Sequence, residues 1–314
     1  MSTPGPAPAT GTAVRGGRRE RPPVPVSVPP EAGAVAEDRA WSATAIEDFL
    51  GCPLRYWWQR VLRWSTPTTP QQVVGTIVHG MLEELLALPA HERSRDTSLE
   101  MLKASYRREI ERSENSHLDR TVVREGCASA LESYWETEDP GSVVVAPDGL
   151  ERPVPAALRG LPFVGYVDRL SETDLGLRVT DYKTGSGKPR YWWPKWRQQL
   201  LYAAALEYAD QPVAEVQLLF LKDARAVTRP AYPSAVARAL ADLETAHEQR
   251  AAMVERSAWE ARPSILCDYC DFRAVCPGVK STAPQPGTST SDARLAELGL
   301  TKRLEDRAPR VIPA

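Results

Sequence analysis

Apolar residues recur at helical spacing along Gly75–Leu88, where Ile77, Val78, Met81, Leu82, Leu85 and Leu86 line one face. That pattern predicts an amphipathic helix, on which His79 and Glu83, four apart, share a side. Upstream, order is expected from Trp41. Thr44 followed by Glu47 fits a capping box for a short helix carrying Ile46, Phe49 and Leu50, which stops at Gly51-Cys52-Pro53. Residues 98–138 predict one or two further helices, with Cys127 buried and inert on an apolar stretch. The period then changes. From Val143 to Tyr182 the chain is β-rich, and within it Phe163–Leu170 and Leu177–Tyr182 flank a polar turn containing Asp174 and Gly176, a hairpin signal. A helix from about Trp196 to Tyr208, a buried strand at Ala214–Leu221 and a long helix at Ser234–Trp259 follow. No internal repeat interrupts the order, and the pattern predicts one α/β domain with a mixed sheet flanked by helices.

The ends change the picture. Residues 1–40 are dominated by Pro, Gly, Ala and Val with a basic group at Arg15, Arg18, Arg19 and Arg21, and residues 281–314 return to Pro, Ser, Thr and charge. Neither composition buries enough apolar surface to offset ordering, so both are expected to be tails around a domain at 41–280, the second with a short helix near 291–305. The net charge of −2 excludes a global basic field of the histone kind, leaving nucleic-acid contact to local patches. No apolar run approaches the roughly 18 residues of a membrane helix. The N-terminal stretch lacks an apolar signal core. Five cysteines, three of them at metal-ligand spacing, suit a reducing cytoplasm better than a disulfide framework.

The hairpin carries the candidate chemistry. Asp168 lies near the end of its first run, and Asp181 and Lys183 close the second, two apart, so both point to one face of an extended chain. Two carboxylates and a lysine suit a hard divalent cation that activates water, although an exposed salt bridge explains the same residues if they stand alone. Gly185-Ser186-Gly187-Lys188 is no phosphate loop, because Tyr182 stands where the first Gly belongs and Pro189 follows the lysine. Two stretches interleave cations with aromatics: Arg55, Arg60 and Arg63 with Tyr56, Trp57, Trp58 and Trp64, and Lys188–Arg197 with Tyr191, Trp192, Trp193 and Trp196. Bases could stack on exposed members of either set. Packing within the domain is the competing reading.

Four motifs then occur in order: Gly75…His79, Gly165…Asp168-Arg169, Asp181-Tyr-Lys-Thr-Gly185 and Gln198…Tyr202. Together they resemble the RecB-like branch of the PD-(D/E)XK nuclease superfamily over about residues 41–280. The resemblance implies the restriction-endonuclease-like core of that superfamily, with His79, Asp168 and Asp181 as ligands of Mg²⁺ or Mn²⁺. It makes Lys183 the catalytic lysine, turns the Tyr182 carbonyl toward the metal, and has Gln198 and Tyr202 position DNA and the active site. Glu151 stands loosely where some members carry an acid. In this branch Cys52, Cys267, Cys270 and Cys276 would hold a [4Fe–4S] cluster stapling the two ends of the domain. Their spacing alone equally admits structural Zn²⁺. The implied activity is metal-dependent hydrolysis of phosphodiester bonds in DNA, exonucleolytic and directed at ends or single strands, in repair or recombination with a helicase or repair protein as partner. The alternative is a weakly catalytic or non-catalytic iron–sulfur DNA-binding subunit of a repair or CRISPR complex.

Overall fold

The computed structural model describes residues 22–29, 39–112, 115–154, 156–188 and 192–303. Strand β1 (Val24–Ser27) precedes helices α1 (Ala43–Gly51) and α2 (Pro53–Tyr56), and α2 runs into a π-helical turn at Trp57–Val61. Strand β2 (Trp64–Ser65) leads to a helical layer of α3 (Pro70–Ala87), α4 (Arg95–Ile110) and α5 (Arg120–Thr137). Next come β3 (Val144–Pro153), β4 (Ala156–Leu158), β5 (Leu161–Phe163), β6 (Tyr166–Thr173) and β7 (Gly176–Lys183). Helix α6 (Trp192–Glu207), β8 (Val213–Phe220), β9 (Arg225–Pro230), α7 (Pro233–Glu255) and β10 (Ala258–Ala261) complete the core. Helix α8 (Ser289–Glu297) and β11 (Thr301–Lys302) follow.

The central sheet has the order β3-β6-β7-β8-β9. Helix α6 is the crossover that lets β7 and β8 run parallel, and every other pair is antiparallel. Helices α3, α4 and α5 bury their apolar stripes against Tyr182, Leu219 and Leu221 on one side. On the other side α6, α7 and the aromatic residues of α1, α2 and the π turn pack against Leu170, Val179 and Leu218. Alternation along β7 therefore sends Val179 to one layer and Tyr182 to the other. Among the described residues no helix is long and apolar enough to cross a membrane.

Local signals explain where the elements start. Helix α3 begins at Pro70, earlier than its apolar stripe, because Thr69 and Gln72 form a reciprocal capping box: the Thr69 N–H donates to Gln72 Oε1 at 2.8 Å and the Gln72 N–H to Thr69 Oγ1 at 3.3 Å. The box expected at Thr44 and Glu47 does not form. Ser42, extended at φ −124°, accepts from the Ala45 N–H at 3.2 Å instead, and Thr44 is already inside the helix. The hairpin is displaced by up to three residues, since Leu161–Phe163 pairs with β4 and β6 starts only at Tyr166.

Both ends hold more structure than their compositions predict. Residues 24–27, expected to lie in a tail, pair antiparallel with β10, and β11 pairs with β2. Leu295 of α8 and Leu300 are buried. A few apolar residues on short strands suffice where an existing edge supplies the partner. The arginines at 15–21 and residues 304–314 lie outside the described residues. The helix expected to reach Trp259 stops at Glu255, where Ser257 takes a left-handed φ of 48° and turns the chain into β10. The first aromatic stretch offers no stacking platform: Tyr56, Trp57, Trp58 and Trp64 are all buried in the core.

Behind the sheet, Arg169 is 1% exposed and meets Glu138 through two bonds of 2.5 and 2.8 Å. It also donates to the Tyr182 hydroxyl at 2.9 Å. Removing one partner of such a pair strands a buried charge. Glu138→Ala is expected to lower unfolding free energy by about 3–5 kcal/mol in urea denaturation, and Glu138→Gln by less. A loss below about 1 kcal/mol for the alanine variant would show that the other acceptors carry Arg169 unaided.

Candidate active site

Strands β6 and β7 lie in register with Arg169 opposite Thr180, which brings the next residues, Asp168 and Asp181, side by side at the open end of the hairpin. One oxygen of Asp168, Oδ2, accepts from the Tyr182 N–H at 2.9 Å. Helix α3 delivers His79 from the opposite layer. Its Nε2 lies 2.8 Å from the Tyr182 carbonyl and its Nδ1 3.4 Å from Asp168 Oδ2. When Nε2–H donates to that carbonyl, a neutral His79 turns the lone pair of Nδ1 toward a carboxylate oxygen. Two acceptors face each other, an arrangement completed by a cation.

Glu151 joins them. His79, Glu151 and Asp168 are, among the described residues, the group of three or more metal-capable side chains whose ligand atoms all lie within 4.8 Å of one another. Sequence reasoning places Glu151 only loosely, because its position depends on an irregularity in β3. Register with β6 slips between Val145 and Leu150, and Glu151 itself sits at a left-handed φ of 41°. Bulges of this kind bend a strand and re-aim its side chains. The signal that could have exposed it is Pro147-Asp148-Gly149, a turn tripeptide inside a strand.

Asp181, on β7, lies beside Asp168. It is 2% exposed, and the Lys183 ammonium sits 2.9 Å from its Oδ1 and 2.7 Å from its Oδ2. Only Oδ1 receives that ammonium at hydrogen-bond geometry, so Oδ2 is buried without a hydrogen-bond partner. Lys183 also donates to Gln198 Oε1 at 3.3 Å, and Gln198 Nε2 donates to the Tyr202 hydroxyl at 3.2 Å. Gln198 and Tyr202, one helical turn apart on α6, thus brace the lysine. The Tyr202 ring lies against Gly165, where an added Cβ would collide with Cε1. Glycine is required there by close approach and not by an unusual backbone angle.

Crowding of like charge marks the electrostatics. Burial, with Asp181 second, pushes the Asp168 carboxyl up to about 6, against the opposing pull of His79, the Tyr182 N–H and Lys183. Burial and the neighbouring Asp168 push Glu151 up to about 7. Burial alone would lower Lys183, but the Asp181 charge and hydrogen bond outweigh it and hold the ammonium above its ordinary range. Burial also raises the Tyr202 phenol. Glu151, Asp168 and His79 form a donor set for a hard divalent cation, and Asp181 lies near enough for its charge to act on Asp168 and Glu151.

The cysteines form a second constellation. Cys52 caps α2, and Cys267, Cys270 and Cys276 follow β10 on two short 3₁₀ turns. All four line one cavity with Trp58 and Arg262. No three of their sulfurs approach within 4.8 Å of one another. The Ser264 N–H donates to Cys267 Sγ at 3.3 Å, while burial raises the Cys270 thiol and pushes Cys276 up to about 11. Cys127 stands apart, buried in α5.

The second basic-aromatic stretch is engaged within the domain. Trp192 stacks on Phe220 at 5.8 Å with the Arg225 guanidinium 5.0 Å from its centroid, and Arg229 lies 5.0 Å from the centroid of Trp196. Both indoles are buried, so neither offers a free stacking face. Residues 189–191 of that stretch lie outside the described residues.

No curated protein matches the chain. Residues 40–277, from just before α1 to just past the last of the four cavity cysteines, match the family model of the PD-(D/E)XK nuclease superfamily, whose members are metal-dependent nucleases. The chain belongs to the PD-(D/E)XK nuclease superfamily.

Proposed function

We propose that this chain is a deoxyribonuclease of the RecB-like branch, working as an exonuclease on DNA ends or single strands in repair or recombination. The observation that carries the reading is the meeting of His79, Glu151 and Asp168 on one side of the hairpin end with the Asp181–Lys183–Gln198 chain on the other. His79, Asp168 and Asp181, joined by Glu151, hold Mg²⁺ or Mn²⁺. The Tyr182 carbonyl, which keeps a second lone pair beside its contact with His79, would add a further oxygen ligand. Bound there, the cation supplies Lewis acidity and a water of lowered pKa. The chain's own groups do the rest. Lys183 presents a fixed ammonium to the charge that develops on the phosphoryl oxygens, and Gln198 keeps it from swinging onto the carboxylates alone. Tyr202 holds Gln198, and Gly165 leaves the room Tyr202 needs.

At the second site we propose a [4Fe–4S] cluster on Cys52, Cys267, Cys270 and Cys276. A single zinc with four thiolates at about 2.3 Å would draw the sulfurs to about 3.8 Å of each other. Either centre would draw the sulfurs together, and what supports the cluster is the four-thiolate donor set that the two ends of the domain bring to one cavity. Backbone N–H groups of Phe272, Gly278 and Val279 favour the thiolate forms of Cys270 and Cys276. The role is structural, fastening the start of the domain to its end.

Four outcomes are expected. Asp181→Asn and Lys183→Ala should each reduce metal-dependent degradation of end-labelled DNA by about 10²-fold or more while circular dichroism stays native. Undiminished digestion by both would sink the assignment, and a wild-type protein that binds DNA without cleaving it would favour the binding-subunit alternative. Gly165→Ala should displace Tyr202 and lower kcat by about tenfold or more with little change in the metal concentration needed. Glu151→Gln should do the reverse, raising the half-saturating Mg²⁺ or Mn²⁺ concentration, as read from activity titrations. Purified aerobically without chelator, the protein should be brown, and Cys276→Ser should lose that colour together with thermal stability. Colourless protein carrying zinc by elemental analysis would replace the cluster with the metal.

A further inference from the structure

A polar groove of about 680 Å³ opens beside the reaction centre, and none of the chemistry above uses it. Among the described residues, Arg39, Arg60, Arg63, Arg112 and Arg303 line it with two carboxylates, Asp48 and Glu109. Such a local surplus of cations is notable in a chain whose formal net charge is −2. Thr66, Thr68 and Gln72 contribute hydroxyl and amide donors to the same lining. Asn115 also lines the groove. It is 4% exposed, and while its Nδ2 donates to the Glu109 carbonyl at 2.7 Å, its Oδ1 is buried without a hydrogen-bond partner.

These residues are far apart in sequence, and the fold gathers them from four segments. Arg60 belongs to the π turn, and Arg63, just after it, is held at a left-handed φ of 63° that a residue other than glycine adopts only under tertiary constraint. Pairing of β11 with β2 brings in the C-terminal segment, and the Arg303 N–H donates to the Arg63 carbonyl at 3.1 Å. Arg112 comes from the end of α4. The groove's walls continue to the active site. Thr76 of α3 lines the groove, and His79 follows one turn later on the same helix face. On the other wall Asp48 lines the groove, and the charge of its neighbour Glu47 acts on Lys183.

We propose that this groove is a track for one strand of DNA, gripping phosphates beside the reaction centre while the bases stay unread. Arginines and hydroxyls suit phosphate contacts, which position a strand without selecting its sequence. At about 680 Å³ the groove has room for a short stretch of single strand. The buried indoles nearby leave affinity to charge, not stacking. Only the naming of that strand as substrate rests on the nuclease reading.

The test uses the full chain in EDTA, where nothing is cleaved, and a fluorescein-labelled oligothymidylate followed by anisotropy between about 50 and 200 mM salt. The groove variant carries Arg63→Gln, Arg112→Gln and Arg303→Gln together. A control with the same reduction of charge carries Arg95→Gln, Arg108→Gln and Arg124→Gln on exposed positions of α4 and α5. The groove variant should raise Kd by about tenfold or more and flatten the slope of log K against log salt by about 2, at about 0.7 for each single-strand phosphate no longer neutralised. The control should stay within about twofold of wild type. Equal weakening in both variants, no weakening in the groove variant, or tighter binding of a duplex than of the single strand would overturn the track. Should the groove variant fold poorly, hydrogen exchange on the wild type decides: oligothymidylate should protect Leu62–Thr68, and absence of protection there counts against the proposal. A wild type that digests DNA with Mn²⁺ while its groove variant binds normally loses the track and keeps the nuclease. One that binds through the groove and never digests DNA does the opposite.

Discussion

The peptide unit of Tyr182 holds the site together. Its N–H fixes Asp168, its carbonyl meets His79, and its ring reaches back through the sheet to the Arg169–Glu138 pair. Three elements that share no local sequence, the β6 strand end, helix α3 and the α5 C-terminus, therefore converge on one residue. Tyr182 can do this because strand alternation gives it a side chain in one layer while its backbone faces the hairpin end. A shift of one residue in the β6–β7 register would reverse every one of these contacts at once.

That rigidity is needed because the site is electrostatically unfavourable on its own. Asp168, Asp181 and Glu151 crowd three carboxylates into a partly buried space, and the upward displacement of Asp168 and Glu151 expresses first their lost solvation and then their mutual repulsion. Lys183 offsets one of them directly. Flexible side chains would relax by turning outward to water. Here the Tyr182 N–H, the β3 irregularity and the Gln198–Tyr202 brace hold them inward, so a bound cation would relieve the repulsion that Lys183 leaves.

The parts of this site that follow regular periods were legible in sequence. The helix carrying His79 shows its apolar stripe, and the two-residue spacing of Asp181 and Lys183 places both on one face. Glu151 was not legible in the same way, because a strand irregularity reverses the face that simple alternation assigns to it. Strand β9 shows no apolar run, since it lies at the sheet edge with all but Val227 exposed. Strand β1 is too short and proline-interrupted, and β11 too short and polar, for either to declare itself. They form because β10 and β2 offer partners from the far end of the chain. The two basic-aromatic stretches admitted both packing and base stacking from sequence, and packing is what the fold shows: most of those rings fill the core, with Arg225 and Arg229 of the neighbouring strand β9 over Trp192 and Trp196.

The same pairings bear on what the four cysteines contribute. Joining Cys52 to Cys267 closes a very long loop, and a cross-link acting on the unfolded chain alone would gain much from that length. Strand β1 on β10 and β11 on β2 already close nearly the same circuit in the folded protein. A metal held there only in the folded chain would contribute its binding free energy at a place the strands have already closed, so loop length would not set its effect. Its particular effect is local. The cavity sits under α2 and the π turn, the segment that carries Arg60 into the groove and continues from the helix bearing Asp48. Loosening the cysteine site would release that wall first and leave the β6–β7 hairpin, held by its own sheet, in place.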